Sequence, residues 1–403
     1  MLEYLSYILF FGVLIIVIIY IYIKLRYGFW MIQPVFHAYN IGYMISPPGI
    51  IQNYLPEKNK YTNFQNIETY LFHELTELKI TRFVNLIKSH YLQNRENVFN
   101  PKTTNIVPYF SSHNDKTLLS FYTEDTEFID KKNGNKLIKD KKIIGVITTR
   151  PIYIQINNQR SKTKDVQFSA YYVDYLCVDK AYRKKGIAPQ LIQTHHYNQR
   201  YINKKIVVSL FKREDELTGI VPLCVYSTFG FPVTNWTKPA ELSAEYKLIE
   251  INPQNFHFLV DFMKDNNNKF DIVINTEITN LIELIKTKNI FIYTIIVDDQ
   301  LICAYFFRKS CIEIERNMEV LTCFASINNT ENSIFIQGFK ISFWKIAAEN
   351  YFGFSAIENV SDNYIFIDNI KEKTPPTIIS PTAYFFYNFA YPTFQPKKVL
   401  VLL

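Results

Sequence analysis

The chain has 403 residues, 48% of them hydrophobic and 16% aromatic, which is enough for one large core or two domains. A net charge of +7 with interspersed acidic residues excludes the composition of a nucleic-acid-binding protein. Five scattered cysteines exclude a disulfide framework. Because no Cys/His spacing suits zinc, we expect no metal site, and we expect a reducing compartment.

The N-terminal residues 4–23 are almost uninterrupted apolar sequence. Twenty helical residues span about 30 Å, the hydrocarbon thickness of a bilayer, and no small-residue cleavage site follows. Residues 1–24 are therefore predicted to form one transmembrane anchor. Since Lys24 and Arg26 end the span, the positive-inside rule predicts a single-pass membrane protein whose remaining chain faces the cytosol.

Residues 27–35 place two adjacent aromatic side chains, Phe29 and Trp30, before a proline-stiffened extended run. Taken alone, this string could be an aromatic belt at a membrane interface. Farther on, residues 67–91 carry apolar side chains at helical spacing and predict two short helices.

From residue 143 onward, β-branched runs predict strands at 143–149, 153–156 and 167–178. The last of these strands leads into a basic loop and then into a helix that begins at Ile187. Loop amides, the helix dipole and three cationic side chains together predict a cradle for a phosphate-bearing ligand. The three cations are Arg183, Lys184 and Lys185.

The second half of the chain repeats this order of elements loosely, without visible residue-level identity. The pattern predicts helices at 251–264, 276–287 and 338–351, and strands at 291–297, 301–309 and 319–326. We therefore expect a second lobe related to the first.

The chain closes on two apolar blocks, 384–389 and 398–403. Most chain termini are polar and lie at the surface. An apolar end therefore indicates that the carboxylate of Leu403 is buried.

Three of these blocks, in this order, resemble the N-myristoyltransferase family: residues 27–35, 175–189 and 384–403. The spacing of Arg183, Gly186 and Ala188 also resembles the coenzyme A pyrophosphate loop of the GNAT (general-control-related N-acetyltransferase) superfamily.

The resemblance implies an α+β fold with two tandem GNAT-like lobes, whose mixed, mainly antiparallel sheets are flanked by helices, after the one transmembrane helix. An acyl-CoA-binding lobe would span residues 25–240 and a peptide-binding lobe residues 241–403. The implied enzyme is an acyltransferase that moves myristoyl from myristoyl-CoA, its co-substrate, to an N-terminal glycine amine. No permanently bound cofactor is implied.

The resemblance also implies roles for individual residues. The α-carboxylate of Leu403 would be the base, and the backbone amides of Tyr175 and Leu176 would form the oxyanion hole. Asp174, which stands where the family usually has Asn, would be an accessory group. Coenzyme binding would fall to Phe29, Trp30, Cys177, Val178, Arg183, Lys184, Lys185, Gly186, Ile187 and Ala188. Peptide binding would fall to Tyr226, Ser227, Tyr387 and Asn388.

Two departures from the family pattern leave alternatives open. Gly186 stands where the family usually has Arg, and residues 93–99 keep one acidic residue where the family has an acidic peptide-holding loop. One alternative is an N-acyltransferase of the same fold that uses another acyl-CoA or amine. Another is a non-catalytic, membrane-tethered binding protein. The expected partners are proteins with N-terminal glycine and the membrane, with no nucleic acid, and the expected state is a monomer.

Overall fold

A computed structural model describes residues 2–92, 97–130, 136–157, 165–214, 219–233, 236–314 and 318–403. The α-helices in these ranges are α1 (Leu2–Tyr27), α2 (Ile41–Ile45), α3 (Glu77–His90), α4 (Thr103–Ile106), α5 (Ile187–Ile202), α6 (Phe256–Asn266), α7 (Ile278–Lys286), α8 (Asn332–Asn350) and α9 (Tyr364–Lys371).

The strands in the same ranges are β1 (Gly49–Ile50), β2 (Ile67–Leu71), β3 (Asn97–Phe99), β4 (Leu118–Asp130), β5 (Lys136–Ile156), β6 (Val166–Val178), β7 (Val208–Glu214), β8 (Cys224–Pro232), β9 (Lys247–Glu250), β10 (Ile272–Thr276), β11 (Ile290–Val297), β12 (Gln300–Ile314), β13 (Met318–Asn328), β14 (Phe352–Glu358), β15 (Ile378–Tyr387), β16 (Phe389–Ala390) and β17 (Val399–Leu402).

One mixed sheet of 15 strands forms the body of the protein, in the order β17-β10-β5-β6-β7-β15-β8-β14-β13-β12-β11-β9. Beside this path, β4 pairs with β5 and β2, and β3 pairs with β12. Most pairs are antiparallel, as predicted. Two strands from the end of the chain lie near strands of the first half. β15 is between β7 and β8, and β17 is next to β10, which is next to β5.

Two parts of this sheet have the same topology. In the first lobe, β4, β5 and β6 are antiparallel and α5 crosses over to β7, which is parallel to β6. In the second lobe, β11, β12 and β13 are antiparallel and α8 crosses over to β14, which is parallel to β13. The α+β fold with two related lobes therefore agrees with the prediction. The boundary at residue 240 remains a prediction.

Each crossover helix meets the sheet at a glycine. A Cβ on Gly145 of β5 would lie 2.9 Å from Leu191 of α5, and a Cβ on Gly338 of α8 would lie 2.5 Å from Ile295 of β11. Contacts this short are forbidden by van der Waals repulsion. Glycine at these positions therefore lets each helix lie close against its strands.

The sheet opens at one point in the first lobe. Strands β6 and β7 pair only where 170–173 faces 208–211, and β6 continues to Val178 without that partner. On its other side β6 has a bulge, because Asp174 and Tyr175 together oppose Thr148 of β5. A cleft follows between the diverging strands, and the bulge lies at its mouth.

The predicted transmembrane anchor at residues 1–24 is wrong. Within the ranges that the structure describes, no helix is long and apolar enough to cross a membrane. Helix α1 (Leu2–Tyr27), which covers the predicted segment, is included in this finding. The single-pass membrane localisation, its cytosol-facing orientation and the membrane as a partner rested on this helix and are corrected with it.

Two element predictions also change. The first of the two predicted helices in 67–91 is strand β2, because residues 67–71 pair with β4 and tertiary pairing overrides local periodicity. Helix α8 begins at Asn332, six residues before the predicted start at 338. Its first turns are buried against Tyr305, whose hydroxyl donates to the carbonyl of Phe335.

Candidate active site

The basic loop after β6 leads into the N-terminus of α5. Lys184 (φ 64°) and Gly186 (φ 76°) both adopt the left-handed conformation, and Gly186 is the N-cap of the helix. A residue with a Cβ is strained in that conformation, so the glycine relieves the turn at the helix start. The first amides of α5 have no partner within the helix, which makes this end suitable for an anion.

The three basic side chains of this loop are not equivalent. Arg183 donates from Nε to the carbonyl of Val178 at 3.2 Å and from Nη2 to the carbonyl of His90 at 2.5 Å, so it ties the loop to α3. Lys184 and Lys185 are exposed at the surface. The two lysines are therefore the exposed charges that an incoming phosphate would meet first, although the ammonium of Lys185 also lies over the ring of Tyr182.

The bulge in β6 presents backbone amides at the mouth of the cleft. The N–H of Tyr175 donates to Oγ1 of Thr148 at 3.1 Å. Burial raises the pKa of the neighbouring Cys177 thiol to about 12, so this thiol stays protonated at neutral pH and is a poor nucleophile.

Two cavities meet beside this bulge. The central cavity has a volume of about 320 Å³, and the cleft cavity, between β6, β7 and α5, about 480 Å³. Asp174, Tyr172 and Lys212 line both cavities. The bulge therefore lies at the junction of an enclosed cleft and a charged chamber.

Leu403 lies in the wall of the central cavity, together with Asp174 and Tyr175. It is only 2% exposed and packs with the apolar cluster around Ile152 and Ile154. It is held there because β17 runs parallel to β10 inside the sheet. The end of the chain and the bulge, which are distant in sequence, are thus brought to one chamber.

A buried ion pair stands at the junction of the cavities. Nε of Arg150 donates to both carboxylate oxygens of Asp174, at 3.0 and 3.1 Å, and Nη1 donates to the hydroxyl of Thr276 at 3.1 Å. Arg150 is 1% exposed. Burial raises the pKa of Asp174, and the charge of Arg150 opposes this rise. A lone buried carboxylate would protonate, so the arginine is what favours its charged form.

A second charged cluster forms the opposite wall of the central cavity. Glu358 accepts hydrogen bonds from Lys212 at 3.1 Å and from the hydroxyl of Tyr226 at 2.6 Å, and it is ion-paired with Arg308. Burial would raise the pKa of Glu358, but Lys212 and Arg308 outweigh it and hold that pKa below its ordinary value. The carboxylate therefore stays ionised between two cations.

Of the two aromatic residues predicted to flank the coenzyme, Trp30 lies at the cleft. Trp30 stacks on Phe211 with ring centroids 6.0 Å apart, and both line the cleft cavity. Phe29 lines neither cavity but packs edge-on against Trp30 and Tyr61, with ring centroids 5.1 Å apart in both pairs. Trp30 therefore meets the first lobe at the cleft, and Phe29 supports it.

The remaining predicted site residues are spread over several places. Tyr387 lines the cleft cavity, and its hydroxyl donates to Oε1 of Gln33. Asn388 is fully buried and joins Gln52 to the carbonyl of Val207, so it fastens the segments around the cleft. A further set of predicted residues lines neither cavity: Phe29, Cys177, Val178, Arg183, Lys184, Lys185, Gly186, Ile187, Ala188, Tyr226 and Ser227. Of the predicted peptide loop at 93–99, residues 93–96 lie outside the described residues.

The sequence reasoning missed the charged residues of the central cavity, namely Arg150, Lys212, Arg308 and Glu358. Each lies in or at the end of an apolar strand, where a charge is costly unless it is paired. The sequence signal that could have identified these four residues is a charged residue within an apolar strand. This signal would not have revealed their ion pairs, because the paired residues lie on different strands.

Comparisons with known proteins agree with this architecture. Residues 55–224 match the family model described as myristoyl-CoA:protein N-myristoyltransferase, N-terminal domain. No curated protein sequence matches the chain.

Among solved structures, Saccharomyces cerevisiae N-myristoyltransferase with bound myristoyl-CoA is similar with a TM-score of 0.70 and 13% identity, over 93% of this chain and 91% of that chain. The same yeast enzyme with myristoyl-CoA and inhibitors gives 0.69 and 14%, over 93% and 94%. A tandem GNAT protein from the clavulanic acid biosynthesis pathway gives 0.51 and 9%, over 81% and 100%.

The resemblance that the sequence motifs indicated is thereby confirmed, by the family model over residues 55–224 and by the fold over nearly the whole chain. The yeast structures contain myristoyl-CoA, which is the co-substrate that the resemblance implies for this chain. This chain is therefore an acyltransferase with the N-myristoyltransferase fold, and its residues 55–224 match the N-terminal domain of that family.

Proposed function

We propose that this protein transfers a fatty acyl group from acyl-CoA to the α-amine of an N-terminal glycine, and that the acyl group is myristoyl. One observation carries the proposal: Leu403 shares a cavity with the bulge residues Asp174 and Tyr175, and that cavity joins the cleft cavity at Asp174. An acyl chain in the cleft would thus present its thioester to an amine in the central cavity.

The coenzyme end of the ligand fits the basic loop. The free amides at the start of α5, with Lys184 and Lys185 beside them, supply donors and charge for phosphates. The thioester would then lie at the bulge, which precedes the basic loop at the end of β6. Arg183 supports the loop from behind through its two carbonyl contacts.

At the bulge, the reaction needs fixed donors for the thioester oxygen, which becomes negative in the transition state. We assign this role to the amides of Tyr175 and Leu176. The N–H of Tyr175 would be shared between the thioester oxygen and Oγ1 of Thr148, which already accepts from it at 3.1 Å. Thr148 holds that amide in place across the bulge.

The acceptor amine must be neutral to attack, so a base must take its proton. We assign the α-carboxylate of Leu403 as this base, because its apolar surroundings favour proton uptake. The amine nitrogen bonds to the carbonyl carbon, the C–S bond breaks, the proton passes to the carboxylate, and coenzyme A leaves as the thiolate. Asp174, whose charged form is favoured by Arg150, orients the approaching amine.

The acceptor site is built by both halves of the chain. Lys212 and Thr228 come from the predicted acyl-CoA lobe, and Arg308 and Glu358 come from the predicted peptide lobe. We therefore propose that residues 25–240 hold the acyl-CoA and that residues 241–403 complete the pocket for the peptide.

Mass spectrometry tests the proposal directly. The full chain is incubated with acyl-CoAs of several lengths and a mixed pool of peptides that start with glycine. We expect a mass increase of one acyl group on the N-terminal glycine, and none on the same peptides with acetylated N-termini. Binding of acyl-CoA without any transfer would refute the enzyme assignment for these peptides and support a binding protein.

A second candidate is an N-acyltransferase for a different amine. The carboxylate of Asp174 at the cavity junction favours it, because one protonated amine of a polyamine can pair with a carboxylate while a second, neutral amine attacks the thioester. The same incubation with spermidine and with lysine peptides separates the two candidates. Acylated spermidine together with unmodified glycine peptides would select the second.

A further inference from the structure

The wall of the cleft cavity is chemically mixed. Part of it is apolar, with Trp30, Leu176 and Ile192. Another part, here called the polar end, carries His195, His196, Gln199 and Ser209. A cavity for a plain hydrocarbon chain has no need of such an end, because polar groups lose their hydrogen bonds to water there.

Most of the polar end is tied into the protein. His195 makes hydrogen bonds from Nδ1 to Ser120 at 2.7 Å and from Nε2 to Thr149 at 2.9 Å. Gln199 donates to the hydroxyl of Ser209 at 3.1 Å, which connects α5 to β7. These groups form a rigid polar frame.

Within the described residues, Gln199 keeps one buried atom, Oε1, without a hydrogen-bond partner, and His196 has two. His196 is only 5% exposed, and neither Nδ1 nor Nε2 has a hydrogen-bond partner in the described ranges. Its ring packs edge-on against Tyr387, whose hydroxyl already donates to Gln33. Burial lowers the pKa of His196 to about 3, so the ring is neutral and offers one donor and one acceptor. Buried orphans of this kind are rare, which indicates that a ligand supplies the partner.

Within the polar end, Ser209 and His196 lie away from the reacting carbonyl. Ser209 is level with Tyr171 on β6, and the ring of His196 packs on Tyr387, which pairs with Ser209. At about 3.3 Å per residue, the level of Ser209 is about 16 Å from Leu176 along β6. A group hydrogen-bonded at His196 would therefore belong to the distal half of an acyl chain whose thioester lies at the bulge.

We propose that the cleft cavity selects an acyl chain that carries a hydroxyl group in its distal half, bound by His196. A hydroxyl both donates and accepts, so it can satisfy either nitrogen of the neutral ring. An unsubstituted chain would leave both nitrogens without partners. This inference rests on the proposed function for the use of the cleft, and it names the class of acyl group.

Titration calorimetry with the full chain tests the inference. The ligands are myristoyl-CoA and a series of hydroxymyristoyl-CoAs of equal length, whose hydroxyl moves carbon by carbon along the distal half. We expect at least one hydroxy ligand to bind about 10-fold more tightly than myristoyl-CoA, as one buried hydrogen bond gives. Weaker binding of every hydroxy ligand would overturn the inference and favour an ordered water at His196.

Variants at His196 locate the effect. His196→Leu should abolish the hydroxyl preference, and His196→Gln, which keeps a donor and an acceptor, should retain part of it. Ile192→Leu, on the apolar wall, is the matched control and should leave the preference unchanged. A preference that survives His196→Leu would overturn the role of His196, and the wild-type titration remains decisive if that variant fails to fold.

The experiment separates this inference from the proposed function. Tight hydroxyacyl-CoA binding without peptide acylation would refute the transfer and keep the cavity assignment. Acylation of glycine peptides without any hydroxyl preference would refute only the cavity assignment. Failure to bind any acyl-CoA would refute both.

Discussion

The two lobes share one topology but use the end of the parallel strand pair in opposite ways. In the first lobe, β6 and β7 pair over four residues and then separate around the cleft cavity of about 480 Å³. In the second lobe, the turn Ser361–Asn363 occupies the corresponding place beside β13. The N–H of Ser326 donates to Ser361 at 3.0 Å, and its hydroxyl donates to Asn363 at 2.5 Å.

This turn is fastened at several points. Asn363 donates to the carbonyl of Glu358 at 2.7 Å, and Asp362 accepts from the N–H of Asn328 at 2.8 Å. Lys269 adds an ion pair with Asp362 at 2.7 Å. In the second lobe the chain itself therefore satisfies polar groups at the place where we propose that a ligand binds in the first lobe.

The two crossover helices begin differently as well. α5 follows Gly186 and two exposed lysines, whereas α8 follows Glu331 at its N-cap. An acidic residue at a helix N-terminus is favourable for the helix, but it repels a phosphate. The comparison shows that the shared topology alone does not make an acyl-CoA site. The charge of the loop before the crossover helix and an open cleft between the parallel strands are also needed.

Extending the chain beyond Leu403 should have the largest effect. A few added residues displace the α-carboxylate from the central cavity, so we expect turnover to fall by about 100-fold or more, the range for a lost general base. Acyl-CoA binding should be unchanged, because the cleft lies in the first lobe. Steady-state kinetics and calorimetry measure the two effects. Leu403→Ile, which keeps the carboxylate, is the control, and full turnover of the extended chain would contradict the role.

Removing Arg150 should destabilise the first lobe strongly. Arg150→Met leaves Asp174 buried without its partner, so the free energy of unfolding should fall by about 3–5 kcal/mol, and Asp174→Asn in the same chain should restore much of it. Denaturant unfolding measures both. In the second lobe, the more exposed pair of Lys309 and Glu319, 3.4 Å apart, is the control. Lys309→Met should cost about 1 kcal/mol or less. Equal losses of unfolding free energy in Arg150→Met and Lys309→Met would contradict the proposed difference between the two ion pairs.

The turn in the second lobe should matter for stability alone. Asn363→Ala removes buried hydrogen bonds and should lower the free energy of unfolding by about 1–3 kcal/mol. The exposed Asn332→Ala should change it by about 0.5 kcal/mol or less. Neither substitution should alter the acyl-CoA dissociation constant. A large loss of acyl-CoA binding in Asn363→Ala would mean that the second lobe takes part in the site.

The loop lysines should matter for binding alone. Replacing Lys184 and Lys185 together with Ala should weaken acyl-CoA binding by about 1–3 kcal/mol through lost charge-assisted contacts, and higher salt should reduce the difference. Alanine at Lys264 and Lys345, two exposed lysines of the second half, is the control and should have no effect. Unchanged binding in the loop variant would remove the cradle from the site.

Acid should loosen the first lobe before the second. Burial lowers the pKa of both His195 and His196 to about 3, below the value of about 6.5 in an unfolded chain. Below about pH 6.5 the unfolded state binds protons that the folded state does not, so the free energy of unfolding falls as the pH decreases towards 3.

After residue 240 the sequence contains a single histidine, the exposed His257. Hydrogen exchange at about pH 7 and about pH 5, corrected for its intrinsic pH dependence, should therefore accelerate in α5 and β6 more than in α8 and β13. Equal acceleration of the two lobes would contradict this assignment.

Sequence patterns alone located the central strand–loop–helix unit well. The strand predicted at 167–178 is β6, and the helix predicted from Ile187 is α5. They also indicated the second lobe and the family resemblance. These features follow from local periodicity and from residues close together in the chain, which is what such patterns report.

Tertiary structure decided the rest. Tyr226 and Glu358 are 132 positions apart, and they meet only because β8 and β14 are neighbours in the sheet. The pairing of β2 with β4 likewise replaced a predicted helix. The orphan nitrogens of His196, the turn that fills the second cleft and the chamber around Leu403 all depend on which strands lie side by side. Local sequence cannot report this, because long-range pairing is set by the packing of the whole sheet.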